Sequence, residues 1–313
     1  MKVRFHLPGI AGHFKFNMVF ISMYKNCPEF FREGVEIASV YGAFPQSLWN
    51  GGRITDGLCD RKFVKSALDS FNGQGIPVRF TFTNPALEKK HLNDKFCNMV
   101  LSLANNGMNE VIVVSPILED YIRKYYPQYK LTSSTCKRLN SLDALNAELE
   151  KDYHIVVMDY DLNNKFDILE KVNHKDKCEI LVNSNCRPNC PDRALHYHSL
   201  GEKQIAAANH LRKYPNSTFD TRVFGDGYTQ NCPYCSRDLF AIKDLPTNVK
   251  PDDIWDKYVP MGFNQFKIEG RTANLYNLME TYIYYMIKPE QADYARYMFL
   301  RNLTSNGVIT INE

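Results

Sequence analysis

Val78-Arg79-Phe80-Thr81-Phe82-Thr83-Asn84 is the stretch of sequence that most clearly predicts the fold. Its residues alternate between apolar and polar, and alternate residues of a β-strand point to opposite faces. Val78, Phe80 and Phe82 therefore share one face, while Arg79 and the threonines share the other. The apolar face is suited to packing against helices, and the polar face is suited to lining the interior of a closed barrel, where a charge needs a partner or a ligand.

Outward from this segment, short strand-like runs alternate with amphipathic stretches. The predicted strands are 18–22, 37–41, 78–83, 111–115, 130–134, 155–159, 179–183 and 265–268. Helical patterns fall between most of them, for example at 62–72, 89–103, 118–126, 141–150, 165–172 and 273–286. Repeated alternation builds a parallel sheet, and eight strands favour its closure into a barrel. We therefore predict one (β/α)8 TIM-like barrel domain over 1–313, with a cysteine-bearing insertion at its mouth over about 193–257.

The composition fits one large soluble domain. The chain has 313 residues, of which 44% are hydrophobic and 23% charged, and α/β barrels use this length as one folding unit. No apolar run is long enough to cross a bilayer, and the first residues lack a secretory signal. An odd number of cysteines, nine, argues against a secreted disulfide scaffold. We expect a cytoplasmic protein with no membrane insertion.

Charge and phosphate-binding motifs narrow the functional classes. The net charge of +3 is too small to indicate a nucleic-acid surface by itself. Neither the dinucleotide-binding pattern G-x-G-x-x-G nor the P-loop pattern G-x-x-x-x-G-K-S/T occurs. The chain therefore has no motif for binding a dinucleotide or a nucleoside triphosphate, the usual ligands of open α/β sheets.

The last predicted strand carries charges on one side. In Phe266-Lys267-Ile268-Glu269-Gly270-Arg271 the alternation directs Lys267, Glu269 and Arg271 to the barrel interior. Barrel enzymes place catalytic groups at the carboxyl ends of their strands, so these three residues and Arg79 are candidate catalytic or anion-binding groups. The alternative is a structural salt-bridge cluster that closes the barrel.

A second strand end, in the stretch 158–164, is also rich in polar residues. Asp159 is the candidate catalytic carboxylate there, and Asp161 follows it closely. The alternative for either residue is a carboxylate that only caps the loop.

Two cysteine pairs have the spacing of metal ligands. Cys186-Arg-Pro-Asn-Cys190 and Cys232-Pro-Tyr-Cys235 supply two thiols each, which suits one tetrahedral centre. An iron–sulfur cluster and structural zinc use the same ligand count, and thiols without any metal are a third alternative. The radical-SAM pattern C-x-x-x-C-x-x-C fails because position 193 is arginine.

Other candidate ligands are weaker. His196 and His198 follow the first pair and suit either a ligand or an outer-shell role. The remaining cysteines lack paired spacing and are predicted to have no ligand role: Cys27, Cys59, Cys97, Cys136 and Cys178.

Three stretches of the chain together resemble the collagenase-like peptidase family, U32. They are Phe266-Lys-Ile-Glu-Gly-Arg271, Asn183-Ser-Asn-Cys186-Arg-Pro-Asn-Cys190-Pro-Asp-Arg193 and Phe80-Thr-Phe-Thr-Asn84, of which the first is the most specific. The resemblance implies a barrel with a four-cysteine 4Fe–4S cluster that supports oxygen-independent hydroxylation of RNA or of an aromatic ring.

Carried over to this chain, the resemblance makes Cys186, Cys190, Cys232 and Cys235 the cluster ligands. The C-x-x-C second pair departs from the familiar family pattern, and no appended carboxyl-terminal domain follows the barrel. Both departures leave the identity of the substrate open. The candidates are anionic or aromatic compounds, including RNA, and a partner subunit is a further expectation.

Two other functions stay open. An atypical peptidase has the family name in its favour, but the chain has no H-E-x-x-H or G-x-S-x-G motif. A non-catalytic barrel stabilised by zinc, which binds a protein or RNA partner, uses the same four cysteines.

Overall fold

Eight parallel strands form a closed barrel in the computed structural model, which describes residues 2–220, 232 and 239–310. Each strand pairs with the next along the chain, and the first strand pairs with the last. The strands are β1 (Val3–Pro8), β2 (Val35–Gly42), β3 (Val78–Phe82), β4 (Glu110–Val113), β5 (Lys130–Ser133), β6 (Ile155–Val157), β7 (Cys178–Leu181) and β8 (Gln265–Lys267). The predicted (β/α)8 barrel is confirmed.

Helices alternate with the strands. They are α1 (Phe14–Asn26), α2 (Arg61–Gly73), α3 (Lys95–Leu103), α4 (Pro116–Tyr125), α5 (Leu142–Leu149), α6 (Phe166–Leu169), α7 (Arg193–Lys213), α8 (Leu239–Lys243), α9 (Pro251–Asp253), α10 (Leu275–Met286) and α11 (Ala292–Ser305). Four of them begin at a side chain that accepts a hydrogen bond from the first turn: Asp60, Asp94, Ser141 and Asn274. In the described part of the chain, no helix combines the length and apolar character that a membrane span requires.

The apolar faces of the strands lie between the barrel and its helices. Val78, Phe80 and Phe82 of β3 belong to the main hydrophobic core, as do Phe266 and Ile268 at β8. The alternation read from the sequence is therefore confirmed for both strands, and it leaves their polar side chains inside the barrel.

The first strand was predicted in the wrong place. Residues 18–22 lie within α1, and the first strand is β1. The buried residues of α1 include Phe16, Val19, Phe20 and Met23, a helical spacing. A short apolar run is compatible with either a strand or a buried helix, and here the helical period decides.

The interval 193–257, predicted as an insertion at the mouth, begins with a helix of 21 residues, α7. This helix crosses the carboxyl-terminal end of the barrel. Asn84 Nδ2 donates to the carbonyl of Gly201 at 3.0 Å, and Gln204 Oε1 accepts from the Thr55 amide at 2.8 Å. Residues 221–231 and 233–238 lie outside the described residues, so the boundaries of the insertion stay a prediction.

Candidate functional site

A cavity of about 500 Å³ lies at the carboxyl ends of the strands, beneath α7. Loops after several strands contribute to its wall, and α7 contributes Tyr197 and Leu200. The predicted site residues that line it are Cys186, Cys190, Cys232, Lys267, Glu269 and Arg271. The fold thus brings together residues that are up to 85 positions apart in the sequence.

Three of the four predicted thiol ligands face this one cavity. Cys186 and Cys190 come from the loop after β7, and Cys232 comes from a separate segment. Cys235 lies outside the described residues. Within 2–220, 232 and 239–310, no group of three or more His, Cys, Asp or Glu side chains forms a metal site. The donor set is the thiol chemistry that both zinc and an iron–sulfur cluster require, so these residues fit either group.

The Cys186 thiol has the best-defined surroundings of these candidate ligands. Burial raises its pKa, whereas the neighbouring Tyr160 hydroxyl and Arg193 guanidinium act against that rise. The net effect is a raised pKa, so a metal that binds this thiol must displace its proton.

Cys136 also lines the cavity, a role that the sequence did not suggest. It lies in a short turn directly after β5, and its amide donates to Ser134 Oγ at 3.1 Å. Burial raises the pKa of its thiol. Its position just beyond a predicted strand end was the available signal, because strand ends of a barrel converge on its mouth.

Beneath the cavity, Glu179 of β7 anchors a network of buried charges. It forms ion pairs with Arg79 of β3 and, at 3.3 Å, with Lys267 of β8. Burial alone would raise the pKa of Glu179, but Arg79 and Lys267 hold it below the usual range. Sequence reasoning missed Glu179, although the alternation in Cys178-Glu179-Ile180 directs it inward.

Lys267 connects this network to the cavity. Burial lowers the pKa of its ammonium group to about 8, although Glu179 acts in the opposite direction. Its Nζ also lies 4.2 Å from the centre of the Tyr41 ring. Lys267 is therefore a cation at ordinary pH whose charge is easily lost.

Arg79 lies deeper, in the barrel interior. Its side chain is 1% exposed, its Nη2 donates to Thr132 Oγ1 at 3.0 Å, and its Nε lies 3.5 Å from a Glu110 carboxylate oxygen. Arg79 is not among the described residues that line the cavity. Its contacts are those of a group that neutralises Glu179 and Glu110.

The Asp159 carboxylate also has a buried ion-pair partner, Arg193. Both of its carboxylate oxygens accept from Arg193 Nη1, each at 2.8 Å. Asp159 is also absent from the described cavity wall, whereas the adjacent Tyr160 is part of it.

Glu269 lies at the mouth of the barrel and is held there by Arg53 and Asn183. Its carboxylate forms an ion pair with Arg53, and its backbone amide donates to Asn183 Oδ1 at 2.6 Å. Glu269 and Lys267 have separate ion-pair partners, Arg53 for Glu269 and Glu179 for Lys267.

Arg271 has only neutral hydrogen-bond acceptors. Its Nη1 donates to Asn50 Oδ1 at 3.0 Å and Thr81 Oγ1 at 2.8 Å, and its Nη2 donates to the Gly51 carbonyl at 2.9 Å. In the part of the chain that the structure describes, no carboxylate lies within ion-pair distance of it. Arg271 is therefore a cavity cation whose charge no described carboxylate neutralises.

The two candidate histidines differ in position. His196 lines the cavity, whereas His198 is about half exposed and lies 3.7 Å from a Glu202 carboxylate oxygen on the outside of α7.

Comparisons with known proteins give two similarities, and no family model matches the chain. The chain is 25% identical over 246 residues to an uncharacterized protease of Methanocaldococcus jannaschii. The aligned region covers 76% of this chain and 68% of the relative. Among solved structures it is similar to a U32 peptidase, with a TM-score of 0.49 and 11% identity, over 86% of this chain and 94% of that one.

Proposed function

We propose that this chain is an iron–sulfur-dependent enzyme of the collagenase-like peptidase family that hydroxylates a nucleobase in RNA or an aromatic small molecule. The observation that carries the proposal is the shared cavity, in which Cys186, Cys190 and Cys232 lie together with Lys267 and Arg271. The three family-like motifs and the relative named as a protease support the family assignment.

The proposed cofactor ligands are Cys186, Cys190, Cys232 and Cys235. A 4Fe–4S cluster, when bound, supplies one-electron transfer beside the cavity. All eight described cysteines are free thiols, which agrees with the cytoplasmic location that we propose.

The chain's own residues bind and orient the substrate in this proposal. Arg271, which has no carboxylate partner among the described residues, and the Lys267 ammonium group bind an anionic part of the substrate. Tyr41 and Tyr197 border the same cavity and offer aromatic faces to a planar ring. These contacts favour a substrate that is both flat and negatively charged.

Glu269 is the proposed proton acceptor. Replacing a ring hydrogen with a hydroxyl group from water releases two protons and two electrons, so the site needs a base as well as an electron acceptor from outside the chain. The Glu269 carboxylate lines the cavity, where Arg53 fixes its position. General-base catalysis contributes about 10²- to 10⁴-fold to a rate.

The decisive experiment is a metal analysis of protein purified without oxygen. We expect about four irons and four acid-labile sulfides per chain, lost when Cys232 and Cys235 are both replaced by serine. Cys59→Ser is the matched control, because Cys59 lies outside the cavity wall and contacts the Pro45 carbonyl. One zinc and no iron would contradict the redox function.

The zinc outcome would favour one of two other functions. The name of the M. jannaschii relative supports an atypical peptidase, which would be tested by hydrolysis of a peptide library. Without hydrolysis, the same result supports a zinc-stabilised barrel that binds a protein or RNA partner.

A further inference from the structure

Arg193, the first residue of α7, is bound to two carboxylates on the loop after β6. Its Nη1 donates to both oxygens of Asp159 at 2.8 Å, and its Nη2 donates to Asp161 Oδ2 at 2.9 Å. All three side chains are buried, with exposures of 2%, 0% and 7% for Arg193, Asp159 and Asp161. Charge-assisted bonds shielded from water hold their geometry tightly.

The same groups hold the backbone of the loop that carries Cys186 and Cys190. Asp161 Oδ1 accepts from the Asn189 amide at 2.9 Å, and Arg193 Nη2 donates to the Arg187 carbonyl at 3.2 Å. Arg187 and Asn189 both lie between the two cysteines. The loop is therefore fixed at two backbone points by side chains that belong to other elements.

Tyr160 links Arg193 to the sulfur atom of Cys186. The Arg193 guanidinium lies 4.2 Å from the centre of the Tyr160 ring, and the Tyr160 hydroxyl neighbours the Cys186 thiol. Tyr160 faces the cavity, whereas Asp159 and Arg193 are not among its described lining residues. The ion pairs thus act on the cavity through the loop and through Tyr160, without contacting a ligand in it.

We propose that Asp159, Asp161 and Arg193 form a loop clamp that positions Cys186 and Cys190 for metal binding. The claim that Cys186 and Cys190 bind a metal rests on the proposed function, whereas the claim that the clamp fixes their loop does not. Without Arg193, two buried carboxylates lose their partner, and the loop loses its contact at Arg187. The three clamp residues are positioning residues, because none of them supplies a thiol.

The other end of α7 provides a matched control. Arg212 donates to Asp94 Oδ2 at 2.5 Å and to the Gln46 carbonyl at 2.8 Å, so it anchors the same helix to the barrel. No hydrogen bond of Arg212 in the described part of the chain reaches the cysteine loop. Comparing Arg193→Met with Arg212→Met therefore separates loop positioning from anchoring of the helix.

The test uses the full chain and two readouts. The first is a titration of the chelator-treated protein with Co²⁺, followed through the cobalt–thiolate charge-transfer band. The second is the alkylation rate of Cys190 by iodoacetamide in the metal-free protein, with the partly exposed Cys27 as the internal reference. Cys190 is chosen because the Arg193 charge itself acts on the Cys186 thiol. In Arg193→Met we expect Co²⁺ affinity to fall by about 10- to 100-fold, as for other outer-shell residues, and alkylation to accelerate several-fold. Arg212→Met should match the parent protein in both.

The outcomes separate the two proposals. If the parent protein gives no cobalt–thiolate band but Arg193→Met still accelerates alkylation of Cys190, the metal site fails and the clamp on the loop stands. If Arg193→Met and Arg212→Met give equal alkylation rates, the clamp is overturned. Should Arg193→Met fail to fold, Arg193→Lys serves instead, since it keeps the charge but loses the two-carboxylate geometry. Parent-like alkylation in that variant would also overturn the clamp.

Discussion

Lys267 on β8 forms a buried ion pair with Glu179 on the neighbouring β7, with Nζ 3.3 Å from Oε1. Arg79 reaches the same carboxylate from β3. One carboxylate therefore faces two cations in the barrel interior, directly below the cavity. This arrangement makes Glu179 a structural centre and also the group that adjusts the charge of Lys267.

Glu179→Gln should destabilise the barrel strongly. The substitution leaves Arg79 and Lys267 without their shared counter-charge in a site from which water is largely excluded. Breaking a buried ion pair by removing one partner costs about 3–5 kcal/mol. Urea denaturation followed by circular dichroism measures this loss. The surface variant Asp293→Asn, whose partner is Arg296, should unfold at nearly the urea concentration of the parent, and equal losses in both variants would contradict the central role of Glu179.

Lys267 should titrate well below an ordinary lysine. Burial lowers its pKa to about 8, and Glu179 limits that shift, so Glu179→Gln should lower the pKa further. Competitive acetylation across a pH series, read by mass spectrometry, gives the pKa of Lys267 relative to the exposed Lys65. Binding of an anion in the cavity should then weaken as the pH rises through about 8. A Lys267 that titrates together with Lys65 would refute both expectations.

The sequence predicted the barrel because eight strand-like runs alternate with helical patterns. Inward-facing residues were predicted separately, from the alternation of apolar and polar residues within a strand. In β3 and β8 the alternation alone identifies the inward-facing Arg79 and Lys267. It also identifies Glu269 and Arg271 as residues of the mouth, since they continue the alternation beyond β8. Which ion pairs form was not predictable, because Arg53 and Glu269 are brought together only by closure of the barrel.

Two features were not predicted from the sequence, namely helix α7 and the position of Cys136 in the cavity wall. The buried residues of α7 include Arg193, Lys203 and Gln204, so the helix lacks a clear apolar stripe. Cys136 has no nearby cysteine, and only the convergence of strand ends brings it close to the paired thiols. Both features depend on contacts between distant segments, which local spacing does not encode.

Acid should destabilise the protein partly through His6. Burial, followed by Arg79, lowers the pKa of His6 from 6.5 to about 3, so the folded chain stays unprotonated there while the unfolded chain takes up a proton. This contribution to stability is complete above pH 6.5 and is lost as the pH falls towards 3. We expect the free energy of unfolding of His6→Gln to fall less between pH 7.5 and pH 5 than that of the parent. The exposed variant His174→Gln is the control, and an unchanged pH dependence in His6→Gln would contradict the prediction.

Cys136 and Cys186 should differ sharply in metal retention although both line the cavity. A Cβ atom built on Gly52 would lie 3.6 Å from Cys136 Sγ and 3.2 Å from Arg271 Nη2, so Cys136 is on the Arg271 side of the cavity. Cys186 neighbours Tyr160 instead. We therefore expect Cys186→Ser to lose the bound metal and Cys136→Ser to retain it, as measured by metal content after anaerobic purification.

Alkylation of the metal-loaded protein tests the same assignment without a substitution. Cys136 should react with iodoacetamide while Cys186 and Cys190 are protected, because only coordinated thiolates are withdrawn from the reagent. A bound anion beside Arg271 should then slow the reaction of Cys136 alone. Loss of metal in Cys136→Ser, or joint protection of all three thiols, would instead make Cys136 a ligand and would contradict the paired-spacing assignment of the four cysteines.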